Sequence, residues 1–105
     1  MSRVHDQTNE LDELIAEITV DCHDDDEALL GFEVAFDEQV RFPVSGTVVG
    51  EDVQVISVGR GDGRRELVAT CERAGRRYHV ALLDIELREA DATLLVAAYR
   101  RWLGP

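Results

Sequence analysis

Carboxylates crowd one stretch of this chain, Asp21 to Pro43, which reads DCHDDDEALLGFEVAFDEQVRFP. Asp21, Asp24, Asp25 and Asp26 come first, and Glu33, Asp37 and Glu38 follow after an apolar interval. Hard oxygen donors at this density suit a divalent cation. Calcium in particular takes about six to eight oxygens at roughly 2.3–2.6 Å, drawn from more than one segment. Glu33 and Asp37 stand four apart and share a helix face, where like charges cost a few tenths of a kcal/mol unless a cation or an arginine intervenes. Asp26 lies on that face too, but about two turns away, on the order of 10 Å. The spacing therefore points to two weak sites, Asp21 with Asp24, Asp25 and Asp26, and Glu33 with Asp37 and Glu38.

The same acids also fit structural roles. Asp24 can cap a helix with Glu27 completing a capping box, and acids in a first turn gain from the helix dipole without any ligand. Glu33, Asp37 and Glu38 equally suit a solvated face, or pairing with Arg41, Arg76 or Arg77.

Other chemistries find less support. His5, His23 and His79 are scattered, and no G-x-S-x-G, H-E-x-x-H or phosphate-binding glycine loop occurs. Cys22 and His23 are adjacent, a placement that rarely lets two side chains face each other, and nearby carboxylates oppose thiolate formation. Cysteine and histidine also fall short of a zinc site, which wants four ligands at recognisable spacing. GRGDGRRE, residues 59–66, lacks the D-x-D-x-D-G order of an EF-hand loop and reads as a hairpin turn, its Arg60-Gly61-Asp62 triplet a coincidence. No enzymatic activity is expected from this sequence.

Several elements must hold these acids in place. Ala28, Leu29, Phe32, Ala35, Phe36 and Val40 recur at three- and four-residue steps, so an amphipathic helix runs from Glu27 to Val40, ended by Phe42-Pro43. Thr8 to Glu17 is a further helix, capped at Thr8 or Asn9 after a frayed 1–7 segment, and Ile18-Thr19-Val20 reads as a short strand leading to the acids. Beyond Pro43 the period changes. Gly46–Val49, Val53–Val58, Leu67–Arg73 and Tyr78–Leu83 are β-branched and aromatic runs separated by turn residues, which predicts antiparallel hairpins. A last helix spans about Asp91 to Leu103, started by Asp91 or Thr93, with Leu94, Leu95, Ala98, Tyr99 and Trp102 as its apolar stripe. The expected fold is α+β: a small antiparallel, barrel-like sheet of four to five strands packed with two to three helices. One domain spans residues 1–105.

Net charge is −11, unevenly spread. Residues 1–40 hold 13 acids and one base, 1 − 13 = −12, whereas residues 41–105 hold 9 acids and 10 arginines, 10 − 9 = +1. Such a field repels phosphate backbones and anionic lipid, so neither nucleic acid nor membrane is an expected partner. No apolar run approaches the roughly 20 residues of a membrane span, and no secretory leader opens the chain, so a soluble cytoplasmic location is expected. Cys22 and Cys71 read as reduced thiols there.

The order of elements and several strings resemble the small acidic bacterial calcium-binding proteins, the CcbP-like family. The likeness is carried by ITVDCH from Ile18, by DEQVRFP from Asp37, by GTVVGEDVQV from Gly46, by ATCERAGRRYHVALLDIE from Ala69, and by a closing helix with an aromatic near its end. The resemblance implies Ca2+ bound by surface carboxylates without an EF-hand, in a weak buffer or sensor. It points to Asp21 and the acids behind it, to Asp37 and Glu38, and less firmly to Asp84. The alternative is a protein–protein interaction module built on an SH3-like small barrel with no metal role, offering a groove or the basic hairpin of Arg73, Arg76 and Arg77 to a protein partner.

Overall fold

The computed structural model describes residues 3–61 and 65–104. Its order is α1 (Arg3–Ile18), α2 (Asp25–Gln39), β1 (Val44–Val48), β2 (Glu51–Arg60), β3 (Leu67–Arg73), β4 (Arg76–Ala81), a 3₁₀ turn over Leu82–Asp84, β5 (Ile85–Leu87) and α3 (Ala90–Leu103). The α+β reading holds. Among the described residues no helix is long and apolar enough to cross a membrane.

Two elements near the N-terminus differ from expectation. α1 begins at Arg3, upstream of the expected cap at Thr8 or Asn9. Ile18-Thr19-Val20 forms no strand; Ile18 closes α1 and the next residues turn. The Thr19 N–H and hydroxyl both donate to the Ile15 carbonyl, at 2.9 and 2.7 Å, extending the helical pattern. A β-branched run without a partner strand keeps its helical bonds instead.

The five strands form one antiparallel sheet in the order β4-β3-β2-β1-β5. Val48↔Glu51 and Arg73↔Arg76 close two tight hairpins. The fifth strand is not a hairpin partner of β4: it crosses to the far edge and pairs with β1. Fully buried Leu82 anchors that crossing, so the last strand run ends at Ala81 rather than Leu83. The sheet stays open, which corrects the barrel-like expectation. Helices cover its apolar face, and β4 protects its free edge with exposed, charged Arg76 and Arg77.

Every residue of the α2 stripe is buried: Ala28, Leu29, Phe32, Ala35 and Phe36, with Val40 just beyond the helix. They meet Val55, Val58, Leu67, Ala69 and Cys71 from β2 and β3, and Ala92, Leu95, Ala98 and Tyr99 from α3. Burial pushes the Cys71 thiol pKa up, in keeping with an inert core residue. The α3 cap is Glu89 rather than Asp91 or Thr93; its carboxylate accepts from the Asp91 and Ala92 N–H groups at 3.0 and 2.8 Å. A glutamate can fill this role because its longer arm folds back onto the first turn.

Tyr99 ties α3 to the sheet. The Leu67 N–H donates to its hydroxyl at 3.0 Å, in a buried position. Its ring meets Phe32 edge-on with centroids 5.6 Å apart, and Trp102 completes the cluster 5.3 Å from Phe32. Replacing Tyr99→Phe keeps the ring and orphans the Leu67 N–H. The expected cost is about 1–3 kcal/mol in urea unfolding; no loss would mean that water or a shifted strand serves that donor.

Both tight hairpins put a non-glycine residue in the left-handed region before a glycine: Val49 (φ 50°) before Gly50 (φ 79°), and Ala74 (φ 53°) before Gly75 (φ 78°). A β-branched side chain is disfavoured there, and Val49 is exposed, so it gains nothing from packing. Val49→Asn is therefore expected to raise stability by about 1 kcal/mol, read as a higher Tm. An unchanged or lower Tm would show that the turn does not hold this geometry.

Candidate functional site

The N-terminal acids sit on the turn from α1 into α2. Asp24 is the N-cap of α2, its carboxylate accepting the Glu27 N–H at 2.9 Å. Glu27 reaches back to the His23 N–H at 2.7 Å, one residue before the position a standard capping box would serve. Structural demand therefore engages one oxygen of Asp24 and one of Glu27. Asp25 and Asp26 lie in the first turn, where the helix dipole favours them. Asp26 faces Arg60 of β2 at 3.2 Å, an exposed pair that links the start of α2 to the sheet. Asp21 lies exposed in the turn after α1.

Two grooves flank α2 and divide the remaining acids between them. The first, about 640 Å³, lies between α1 and α2; Glu17, Asp21, Glu27 and Glu38 line it together with Leu14, Ile18, Leu30 and Val34. The second, about 660 Å³, lies between α2 and the sheet, where Glu33 and Asp37 face Ser57, Thr70, His79 and Arg60. Glu33 and Asp37 thus line one groove, in keeping with the shared helix face of their four-residue spacing. Glu38 does not join them: one residue on a helix is about 100° of rotation, which turns it into the other groove beside Asp21.

Sheet register explains the wall of the second groove. Ser57 pairs with Thr70, and Thr70 with His79, so the three lie abreast on the face not occupied by Val58 and Ala69. A register shift between Val55 and Ser57 sets this phase in β2. Thr70 Oγ1 and His79 Nδ1 are 3.3 Å apart. Gly59 leaves the Glu33 carboxylate room: a Cβ there would lie 3.4 Å from Glu33 Oε1. Sequence reasoning did not bring Ser57, Thr70, His79, Glu17 or Arg60 to a site. The alternation of β3 and β4 was available as a signal for Thr70 and His79, but only the register brings them together.

The donors are mostly carboxylate and hydroxyl oxygens, which suits a hard cation better than a thiolate-seeking metal. Among the described residues no three acidic, histidine or cysteine side chains converge at metal-binding spacing. Two carboxylates line the second groove, and the four that line the first do not gather in threes at that spacing, leaving water to complete any coordination shell.

The arginines mostly have other partners. Arg77 pairs with Glu72 at 3.0 Å and Arg73 with Glu51, so two of the three hairpin cations are engaged within the sheet. Arg101 grips Asp12 through Nε at 2.6 Å, joining α3 to α1 and holding the Asp12 carboxyl below its usual range. Arg41, Arg76 and Arg77 form no ion pair with Glu33, Asp37 or Glu38 among the described residues. Asp84 closes the 3₁₀ turn after β4 and lines neither groove. Asp62 lies outside the described residues.

Gly31 sets the depth of the first groove. A Cβ at that position would lie 2.7 Å from the Ile18 carbonyl oxygen, so α2 crosses the end of α1 with backbone against backbone. Gly31→Ala would gain about 1 kcal/mol of helix propensity, but the clash is with main chain and cannot rotate away. The expected net effect is a loss on the order of 1–3 kcal/mol with a lower Tm; a gain would mean that α1 and α2 separate freely.

Comparison with known proteins gives a likeness of fold. The crystal structure of Anabaena CcbP superposes with a TM-score of 0.72 at 22% identity, covering 98% of this chain and 93% of that one. A calcium-binding protein solved in its calcium-binding form superposes with a TM-score of 0.75 at 23% identity, covering 98% of this chain and 95% of that one. No family model matches the sequence. No curated protein matches it either. The resemblance read from the sequence strings is thus matched by the whole architecture.

Proposed function

We propose that this chain binds calcium weakly, as a buffer or sensor, through surface carboxylates on a fold without an EF-hand loop. The observation that carries this reading is the likeness of fold, over 98% of the chain, to a protein solved in a calcium-binding form. The chemistry of the acids supports it. Glu33 and Asp37 line one groove between α2 and the sheet, and Ser57 and Thr70 line the same groove. Asp21 lies on the turn before α2, Asp24 caps the helix and Asp25 opens it, with Asp26 already facing Arg60 and Glu38 lining the groove that Asp21 also lines. Calcium would supply charge neutralisation, and this chain's residues would supply two or three of its oxygens per site.

Weakness follows from that donor count. A strong site encloses the ion in six or more protein oxygens, whereas these grooves are open and leave much of the shell to water. The reading is of a binding protein rather than an enzyme, working as a single domain in a bacterial cytoplasm, with nucleic acid and membrane disfavoured by the field of the first 40 residues.

A calorimetric titration of chelator-treated protein at about 0.15 M salt tests it, with magnesium as control. The expected result is saturable calcium binding at roughly 10⁻⁶ to 10⁻³ M, tighter than magnesium. Asp25→Asn combined with Asp37→Asn is expected to abolish the calcium-induced rise in Tm while leaving the metal-free protein equally or more stable, because repulsion falls. Equal diffuse heats for both ions, or a Tm rise that survives the double change, would overturn the assignment.

A further inference from the structure

The groove between α1 and α2 has an apolar floor that calcium chemistry does not use. Val20, Leu30 and Val34 line it while remaining 75%, 54% and 43% exposed. They are three of the six large apolar side chains exposed among the described residues, so this is a gathered patch and not scattered surface. Leu14 and Ile18 continue the floor from α1.

The rim is uniformly acidic. Glu17, Asp21, Glu27 and Glu38 surround the floor and no arginine lines it. Glu17, Asp21 and Glu38 make no salt bridge among the described residues. An apolar trough with carboxylates along its edges is complementary to one kind of object: a helix with a leucine-type stripe flanked by lysine or arginine.

We propose that this groove docks a basic amphipathic helix of a partner protein. Other occupants meet the charge with the wrong sign. A second copy of this chain pressed groove to groove would set acids against acids, and anionic lipid is repelled for the same reason. The floor also stays exposed at Val20, Leu30 and Val34, which suits a partner surface better than a small ligand that must be mostly enclosed. This inference shares Asp21 and Glu38 with the calcium reading but does not rest on it.

The test uses the full chain in chelator, which removes calcium from the outcome. The probe is a synthetic leucine–lysine peptide of about four helical turns in amphipathic register, compared with a peptide of the same composition in scrambled order. Affinity is read by fluorescence anisotropy at about 0.15 M salt, where surface charge alone is largely screened. The amphipathic peptide is expected to bind at least about tenfold tighter than the scrambled one. Leu30→Ser and, separately, Val34→Ser should remove that preference; both side chains are partly exposed, and circular dichroism checks that the variants fold. Glu17→Gln with Glu38→Gln should weaken binding and flatten its salt dependence.

Equal affinity for both peptides, absence of binding, or a preference untouched by both serine variants would overturn the proposal. So would sedimentation showing that the wild-type chain self-associates and that Leu30→Ser disperses it, since a second copy would then be the occupant.

Discussion

Burial of one face of α2 is the constraint on which the rest of this structure depends. Phe32 and Phe36 are fully buried at its centre, and complete burial of such a side chain contributes about 1.5–3 kcal/mol relative to exposure. Phe32 then meets Tyr99 and Trp102, which brings α3 to α2, and the Tyr99 hydroxyl accepts the first N–H of β3. Helix, helix and sheet are fixed by one aromatic cluster with one buried polar bond. Rotating α2 about its axis would break both ring contacts of Phe32 and expose its buried stripe.

That single orientation also decides what α2 can offer outward. With Phe32 and Phe36 inward, Glu33 and Asp37 are aimed along the sheet and Glu38 along α1. The helix therefore distributes its carboxylates to two grooves of similar size and different character. One is walled by hydroxyls and His79, the other floored by aliphatic side chains. Close approach at Gly31 sets the depth of the first groove, between α1 and α2.

Charge is handled by separation. The excess negative charge stays on α1, α2 and the turn between them, while the sheet and α3 carry arginines that pair locally, as Arg77 with Glu72 and Arg88 with Asp52. Among the described residues two ion pairs cross between these halves, Arg60 with Asp26 and Arg101 with Asp12. Both are exposed, so each contributes little to stability and leaves the acidic half free to meet a cation or a cationic partner.

Much of this was legible in the sequence. The α2 stripe, the cap at Asp24, the four strand runs beyond Pro43 and the apolar face of α3 follow from periods of 3.6 and 2, which depend on neighbours along the chain. So does the pairing of Glu33 with Asp37 on one face. Other features depend on partners distant in sequence, and local pattern cannot contain them. The run Ile18-Thr19-Val20 has strand composition but no strand to pair with, so the helix keeps it. β5 joins the far edge because buried Leu82 carries the chain across, leaving the sheet open. Thr70 and His79 become neighbours through β3–β4 register, and Asp21 and Glu38 through the crossing of α1 and α2. Sequence by itself determined which residues are apolar, which are acidic and which share a helix face, because those are properties of composition and period. Only the tertiary structure decided which acids share a groove, because that is set by how packed surfaces cross, and packing is a relation between segments far apart in the chain.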